Sequence, residues 1–203
     1  MSDAVQKPAR KPRADSLRNR ERLLEEARAV FSAGGPEASL EAVARAAEVG
    51  IGTLYRHFPT REVLFQAVYS REVDEMVALA DSLAEAPDPV AALRQWMHAS
   101  IRMVATKRGM LAALSPVLDG KHEFFQSTAD RLLAALTGLL GRGVEAGRLR
   151  KDITPEELLR AFLGICYMPE QPGWQQTVVR LLDIFVDGLE RPERIEPSRP
   201  GRD

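Results

Sequence analysis

Two breaks constrain this chain more than any other feature. Gly34-Gly35-Pro36 stops one helical pattern, and Pro59 stops another. The stretch between them has room only for two short helices. Ser39 is placed to cap the first, whose Leu40, Val43, Ala44 and Ala47 share one face. A turn at Glu48-Val49-Gly50 follows, and Gly50 to Phe58 forms the second helix. Two short helices joined by a tight turn make a helix-turn-helix.

In that arrangement the second helix enters the DNA major groove by its N-terminus. A start at Gly50 leaves free N–H groups and the positive end of the helix dipole facing phosphates. Gly52 lets the backbone come close to DNA. Thr53 can donate to a phosphate or a base and press its methyl on thymine, and Ile51 can also meet a thymine methyl. Tyr55 and His57 are two residues apart, so they do not share a face; with Thr53 and Arg61 they straddle the groove. Arg45, on the outer side of the first helix, is a candidate phosphate contact. Leu54 and Phe58, spaced i, i+4, point inward.

The rest of the chain also reads as helices. Residues 1–15 are a flexible basic arm, with Pro8, Pro12 and no apolar period. Asp15 or Ser16 caps a helix carrying Leu17, Leu24, Ala27 and Phe31. Thr60 caps a long helix over 61–84, without a full capping box because Val63 stands where Glu or Gln is needed. Further helices are expected over Val90–Lys107, Gly109–Leu114, His122–Gly147, Pro155 to about Tyr167, and Trp174 or Gln175 to Leu189. Thr154 and Glu157 complete a capping box around Pro155. The expectation is an all-α chain of about nine helices. It divides into the arm, a helix-turn-helix domain over 16–60, a body over 61–190 and a disordered Pro- and charge-rich tail over 191–203.

Charge agrees with that division. Of 203 residues, the first 61 carry a net +3 and the remainder a net −4, as expected if only the head meets nucleic acid. One cysteine, Cys166, excludes an internal disulfide framework. No run of 18 apolar residues exists to span a membrane, and the polar, basic start lacks the core of a secretory leader. The expected location is the cytoplasm. "HEFFQ" at 122–126 has Gln126 where a zinc site needs its second His, and "GLLGRGVEAG" at 138–147 follows no strand. No Ser/His/Asp set or carboxylate pair stands out, so the expectation is no enzyme, no metal and no cofactor.

"EAVARAAEVGIGTLYRHFPTREVLFQAV" resembles the DNA-binding signature of the tetracycline-repressor (TetR) family of bacterial regulators. The resemblance rests on Val43-Ala44, Ala47, Val49, Gly52-Thr53-Leu54-Tyr55, His57-Phe58-Pro59, Arg61-Glu62 and Leu64. It implies a homodimer that grips a palindromic double-stranded operator, and a body whose small-molecule ligand releases DNA. It implies that Thr53, Tyr55 and His57 are groove and phosphate contacts, and that Arg61 stands in for a phosphate-binding lysine. Glu48 departs from the family's usual Gly, and must either take φ > 0 or let the turn shift. Gly50 departs from a usual side-chain cap, and Ile51 from a polar base reader. An activator or nucleoid-type binder without a ligand is the alternative.

In the body, the last two helices are unusually apolar, and the final one is apolar around most of its circumference. Such a helix needs cover on two sides, and a partner subunit is the natural second cover. Leu158, Phe162, Val178, Leu181, Leu182 and Phe185 are the expected dimer contacts. Trp96, Met97, Met103, Phe124, Phe125, Phe162 and Cys166 are the expected lining of an effector pocket, since Met and aromatic side chains suit apolar ligands.

Overall fold

The structure is a computed structural model. It describes residues 11–33, 38–114, 122–167 and 174–191, without the side chains of 11–13, 109–114 and 122–125. The stop at Gly34-Gly35-Pro36 and most of the arm and tail lie outside those residues. The described chain holds eight α-helices: α1 Lys11–Ala33, α2 Leu40–Ala46, α3 Ile51–His57, α4 Arg61–Leu83, α5 Pro89–Leu114, α6 His122–Glu145, α7 Pro155–Cys166 and α8 Trp174–Asp187. One isolated antiparallel bridge, Leu149 to Glu190, is the sole β pairing among them.

The count is eight rather than nine because the two segments expected over 90–107 and 109–114 form one helix, α5. Gly109 costs a helix interior only about 1 kcal/mol relative to Ala, too little to end it. α1 starts at Lys11, ahead of the expected cap at Asp15 or Ser16. Pro12 sits in its first turn, where a missing N–H is harmless. Leu17, expected in the buried stripe of α1, is 61% exposed, and the stripe begins at Leu23.

Two compact units divide the chain. One takes the described residues up to Glu75 together with Arg102–Thr128; the other takes Met76–Ile101 and the described residues from Ala129 onward. The division falls inside α4, α5 and α6.

In the first unit α1, α2 and α3 pack on one another around Leu23, Ala27, Phe31, Val43, Leu54 and Phe58. Ser39 caps α2 by accepting from the Ala42 N–H at 3.1 Å. A polar line crosses this core. Ser32 and Thr106 hydroxyls lie 2.7 Å apart, and the Thr106 hydroxyl is 2.8 Å from Glu72 Oε1. Glu72 is buried, and its Oε2 has no hydrogen-bond partner among the described residues. Burial pushes its carboxyl up to about 7 from 4.5, against the lowering effect of the Thr106 bond.

In the second unit, Trp96 of α5 donates from Nε1 to the Met76 carbonyl at 2.8 Å. Arg142 of α6 donates to the carbonyls of Leu83 and Ala86, both at 2.8 Å, and so closes the C-terminal end of α4. Gly143 explains part of the glycine run. A Cβ there would meet Leu149 Cδ1 at 2.3 Å, because the chain turns back at Gly147, with φ +70°, and lays Leu149 over the helix. The Thr154–Glu157 capping box is present in both directions, at 3.2 and 2.8 Å. α7 and α8 pack through Leu158, Phe162 and Cys166 on one and Val178, Leu182 and Val186 on the other.

Candidate nucleic-acid interface

The turn between α2 and α3 is held by backbone. The Ala47 N–H donates to Val43 O at 2.9 Å, Glu48 to Arg45 O at 3.1 Å, and Val49 to Ala44 O at 3.0 Å. Glu48 takes φ 52°, so the residue in the left-handed region is the glutamate, while Gly50 is ordinary extended chain at φ −66°. Of the two outcomes the sequence allowed, the strained backbone holds and the turn keeps its place. Glu48 Oε2 accepts from Arg22 Nη2 at 2.8 Å, tying the turn to α1.

α3 begins without a side-chain cap; the Thr53 and Leu54 N–H groups donate to the Gly50 carbonyl at 2.8 and 3.2 Å. Leu54 and Phe58 are buried as their spacing requires. Their burial turns the rest of the helix outward. Ile51, Gly52, Tyr55 and Arg56 are exposed, and Thr53 and His57 are half-buried at the edges. Neither Gly50 nor Gly52 would meet anything within 4 Å of an added Cβ, so this backbone is open to a close approach. Arg45 is exposed on the last turn of α2. Arg20 lies with its guanidinium carbon 5.3 Å from the Phe58 ring centroid.

Arg61 is the first residue of α4. Its guanidinium turns into the head, donates from Nη2 to the Ala38 carbonyl and lies 5.8 Å from the Phe31 ring centroid. Its Nε is buried without a partner among the described residues. There it joins the starts of α2 and α4 to α1. Arg56 is exposed on α3, with Nε 3.1 Å from the Gly52 carbonyl.

The remaining expected sites fall as follows. Trp96, Met97, Met103, Phe162 and Cys166 are all buried; Met103 belongs to the first unit and the others to the second. Phe124 and Phe125 lie on α6 outside the described side chains. A groove of about 570 Å³ opens beside α7 and α8, lined by Ile153, Ala161, Ile184, Phe185 and Leu189 with Arg150, Asp152 and Glu157 at its polar side. None of the expected pocket residues lines that groove. Of the expected dimer contacts, Leu158, Phe162, Val178 and Leu182 are buried within the chain, and Leu181 and Phe185 are half-buried. The apolar residues left outside are Leu163, Tyr167 and Ile184. Periodicity marked these helices as over-apolar but did not say which stripe they would spend on each other.

A short helix with a buried i, i+4 pair and an open outer face, set by a tight turn after a second short helix, defines a helix-turn-helix DNA-binding protein. Residues 23–68 match the family described as bacterial regulatory proteins, tetR family, and residues 88–191 match the C-terminal domain of SbtR-like transcriptional regulators. The chain belongs to the TetR family of transcriptional regulators. A TetR transcriptional regulator from Streptomyces coelicolor is similar in structure, with TM-score 0.74 and 37% identity over 84% of this chain and 98% of that one. A TetR regulatory protein from Mycobacterium vanbaalenii gives 0.69 and 31% over 88% and 99%. The transcriptional repressor KstR of Mycolicibacterium smegmatis is 41% identical over 66 residues. The chain spans 44% and 32% of the length of the first curated relatives it matches. Among the described residues, no helix is long and apolar enough to cross a membrane.

Proposed function

We propose that this chain is a repressor that binds a palindromic operator as a homodimer and is released by a small molecule. One observation carries the reading: Leu54 and Phe58 hold α3 so that Gly52, Tyr55 and Arg56 are open to solvent, with Thr53 and His57 half-buried at the edges. That surface offers hydroxyl, imidazole and guanidinium groups beside bare backbone, the chemistry that meets phosphates and base edges. The relative KstR is a transcriptional repressor. A second copy against α7 and α8 supplies two-fold symmetry, and a palindrome mirrors it. Ligand release works as a population shift: an effector in the body favours a pose of α4 that takes the heads off half-site spacing.

The test is binding-site selection from random duplexes with the full chain, repeated with Tyr55→Phe and His57→Ala. A palindrome that both variants bind less well supports the reading. Absence of enrichment at low salt from folded protein overturns it. A reporter placed behind the selected site then separates repression from activation.

A further inference from the structure

Arg56 stands in the last turn of α3, and its side chain leans back along the helix toward Gly52 and Thr53. Helical side chains lean toward the N-terminus. Here Nε donates to the Gly52 carbonyl at 3.1 Å, and Nη2 makes a long contact of 3.4 Å to Thr53 Oγ1. The guanidinium is thereby brought back beside the first turn, the part of a recognition helix that faces base edges. Gly52 has no side chain to cover that place, and the space around it is open. Nε is bonded to the backbone and Nη2 lies near the Thr53 hydroxyl, which leaves Nη1 and the second N–H of Nη2 to donate elsewhere.

Other arginines of this unit are committed elsewhere. Arg22 is paired to Glu48, Arg20 lies over Phe58, and Arg61 is turned to Ala38. Arg45 is on α2, the helix of the pair that crosses the DNA backbone rather than the bases. A planar fork with two parallel N–H donors matches O6 and N7 of guanine, a fit that no other side chain of α3 can make.

We propose that Arg56 reads a guanine in the major groove of each half-site, with the Gly52 carbonyl and the Thr53 hydroxyl orienting its guanidinium. This rests on the operator-binding reading above. Thr53 and Gly52 are then positioning groups as well as contacts, and Arg56 fixes one base of the operator.

The experiment is binding-site selection with the full chain and with Arg56→Ala and Arg56→Gln, followed by competition between single-base variants of the selected site. Arg56 is exposed, and matched thermal melts confirm that both variants fold. The wild type is expected to prefer guanine at one fixed position per half-site by about tenfold to a hundredfold. Arg56→Ala loses that preference at that position alone, and Arg56→Gln moves it toward adenine. A uniform loss across all sequences, with the salt slope reduced by about one, makes Arg56 a phosphate contact and overturns the proposal. So does an unchanged preference in Arg56→Ala. If the wild type selects no palindrome, the operator reading itself fails and takes this inference with it.

Discussion

α3 and α8 are built alike and finished differently. Each buries a stripe at i, i+4: Leu54 and Phe58 for α3, and Val178, Leu182 and Val186 for α8. Each leaves large side chains outside. On α3 these are Tyr55, 45% exposed, and Arg56 beside it, with Ile51 exposed at 40% in the first turn. On α8 the exposed large hydrophobic residue is Ile184, at 61%, beside exposed Arg180 and Asp187, with Leu163 and Tyr167 on neighbouring α7. A surface of hydroxyls and a guanidinium keeps its hydration until a charged partner arrives. A surface of aliphatic carbon gains by losing water. The same folding rule, bury one stripe, therefore leaves a tyrosine and an arginine outward on α3 and an isoleucine outward on α8.

The largest effect tests the shared half of the comparison. Phe58→Ala removes the buried ring that fixes α3 on α1, and should cost about 3–5 kcal/mol. Leu182→Ala should cost about 2–5 kcal/mol at the equivalent place in α8. Urea denaturation followed by circular dichroism measures both. A loss below about 1 kcal/mol at Phe58 would mean that the outer face of α3 is not set by its buried stripe.

The next prediction tests the difference. Ile184→Asp puts a charge on the apolar outer face without touching the buried stripe. Monomer stability should stay within about 0.5 kcal/mol, as for other exposed sites. Self-association should weaken by about thirtyfold or more, the effect of losing a central interface residue. Sedimentation equilibrium decides it. An unchanged association constant would move the dimer contact away from this face. Asp at Leu182 could not make the distinction, because that side chain is wholly buried within its own chain.

These two helices also mark what was legible in the sequence. α3 was readable almost residue by residue, because its constraints are local: a cap, a turn, a proline and a pair at i, i+4. Ser39, Thr60 and the Thr154–Glu157 box were readable for the same reason, since a cap reaches only three residues. Arg61 was not. Its partners, the Ala38 carbonyl and the Phe31 ring, come from other elements, and no spacing rule contains them. The hydrogen bond of Arg56 to the Gly52 carbonyl is local, at i−4, but which rotamer an exposed arginine takes is not written in the spacing. In α7 and α8 the excess of apolar residues was visible, but the division between inner and outer stripes depends on how the two helices meet. Leu158 and Leu182 therefore fell on the inside, while Leu163 and Ile184 stayed out.

Glu72 gives a further contrast, between the wet groups of α3 and a buried carboxyl in the same unit. Unfolded, it titrates near 4.5; folded, burial raises it to about 7. Folding thus favours the protonated form. Its contribution is intact below about pH 4.5 and is lost as pH rises through about 7. The difference is worth about 3 kcal/mol at its limit. Glu72→Gln keeps the size of the side chain and an acceptor for the Thr106 hydroxyl, but cannot ionise. Stability above pH 7 should rise by about 1–3 kcal/mol, and the slope between pH 5 and 7 should flatten. Melts across that range check it; a slope that persists in the variant assigns it to another group.

The smallest effect concerns the turn that aims α3. Glu48 sits at φ 52°, a conformation that costs a residue with a Cβ about 1 kcal/mol or more. Its bond to Arg22 is exposed, so it returns at most about 1 kcal/mol. Two substitutions separate the terms. Glu48→Ala keeps the strained backbone and drops the ion pair, so it should lower stability by up to about 1 kcal/mol. Glu48→Gly drops the ion pair and the strain together, and should exceed Glu48→Ala by about 1 kcal/mol. Operator affinity should follow neither change closely, because the turn is held by the backbone bonds of Ala47, Glu48 and Val49 rather than by the side chain. If Glu48→Gly instead weakens operator binding while raising the melting temperature, the Arg22–Glu48 pair is orienting α1 against the DNA, and the glutamate is kept for the interface rather than for the fold.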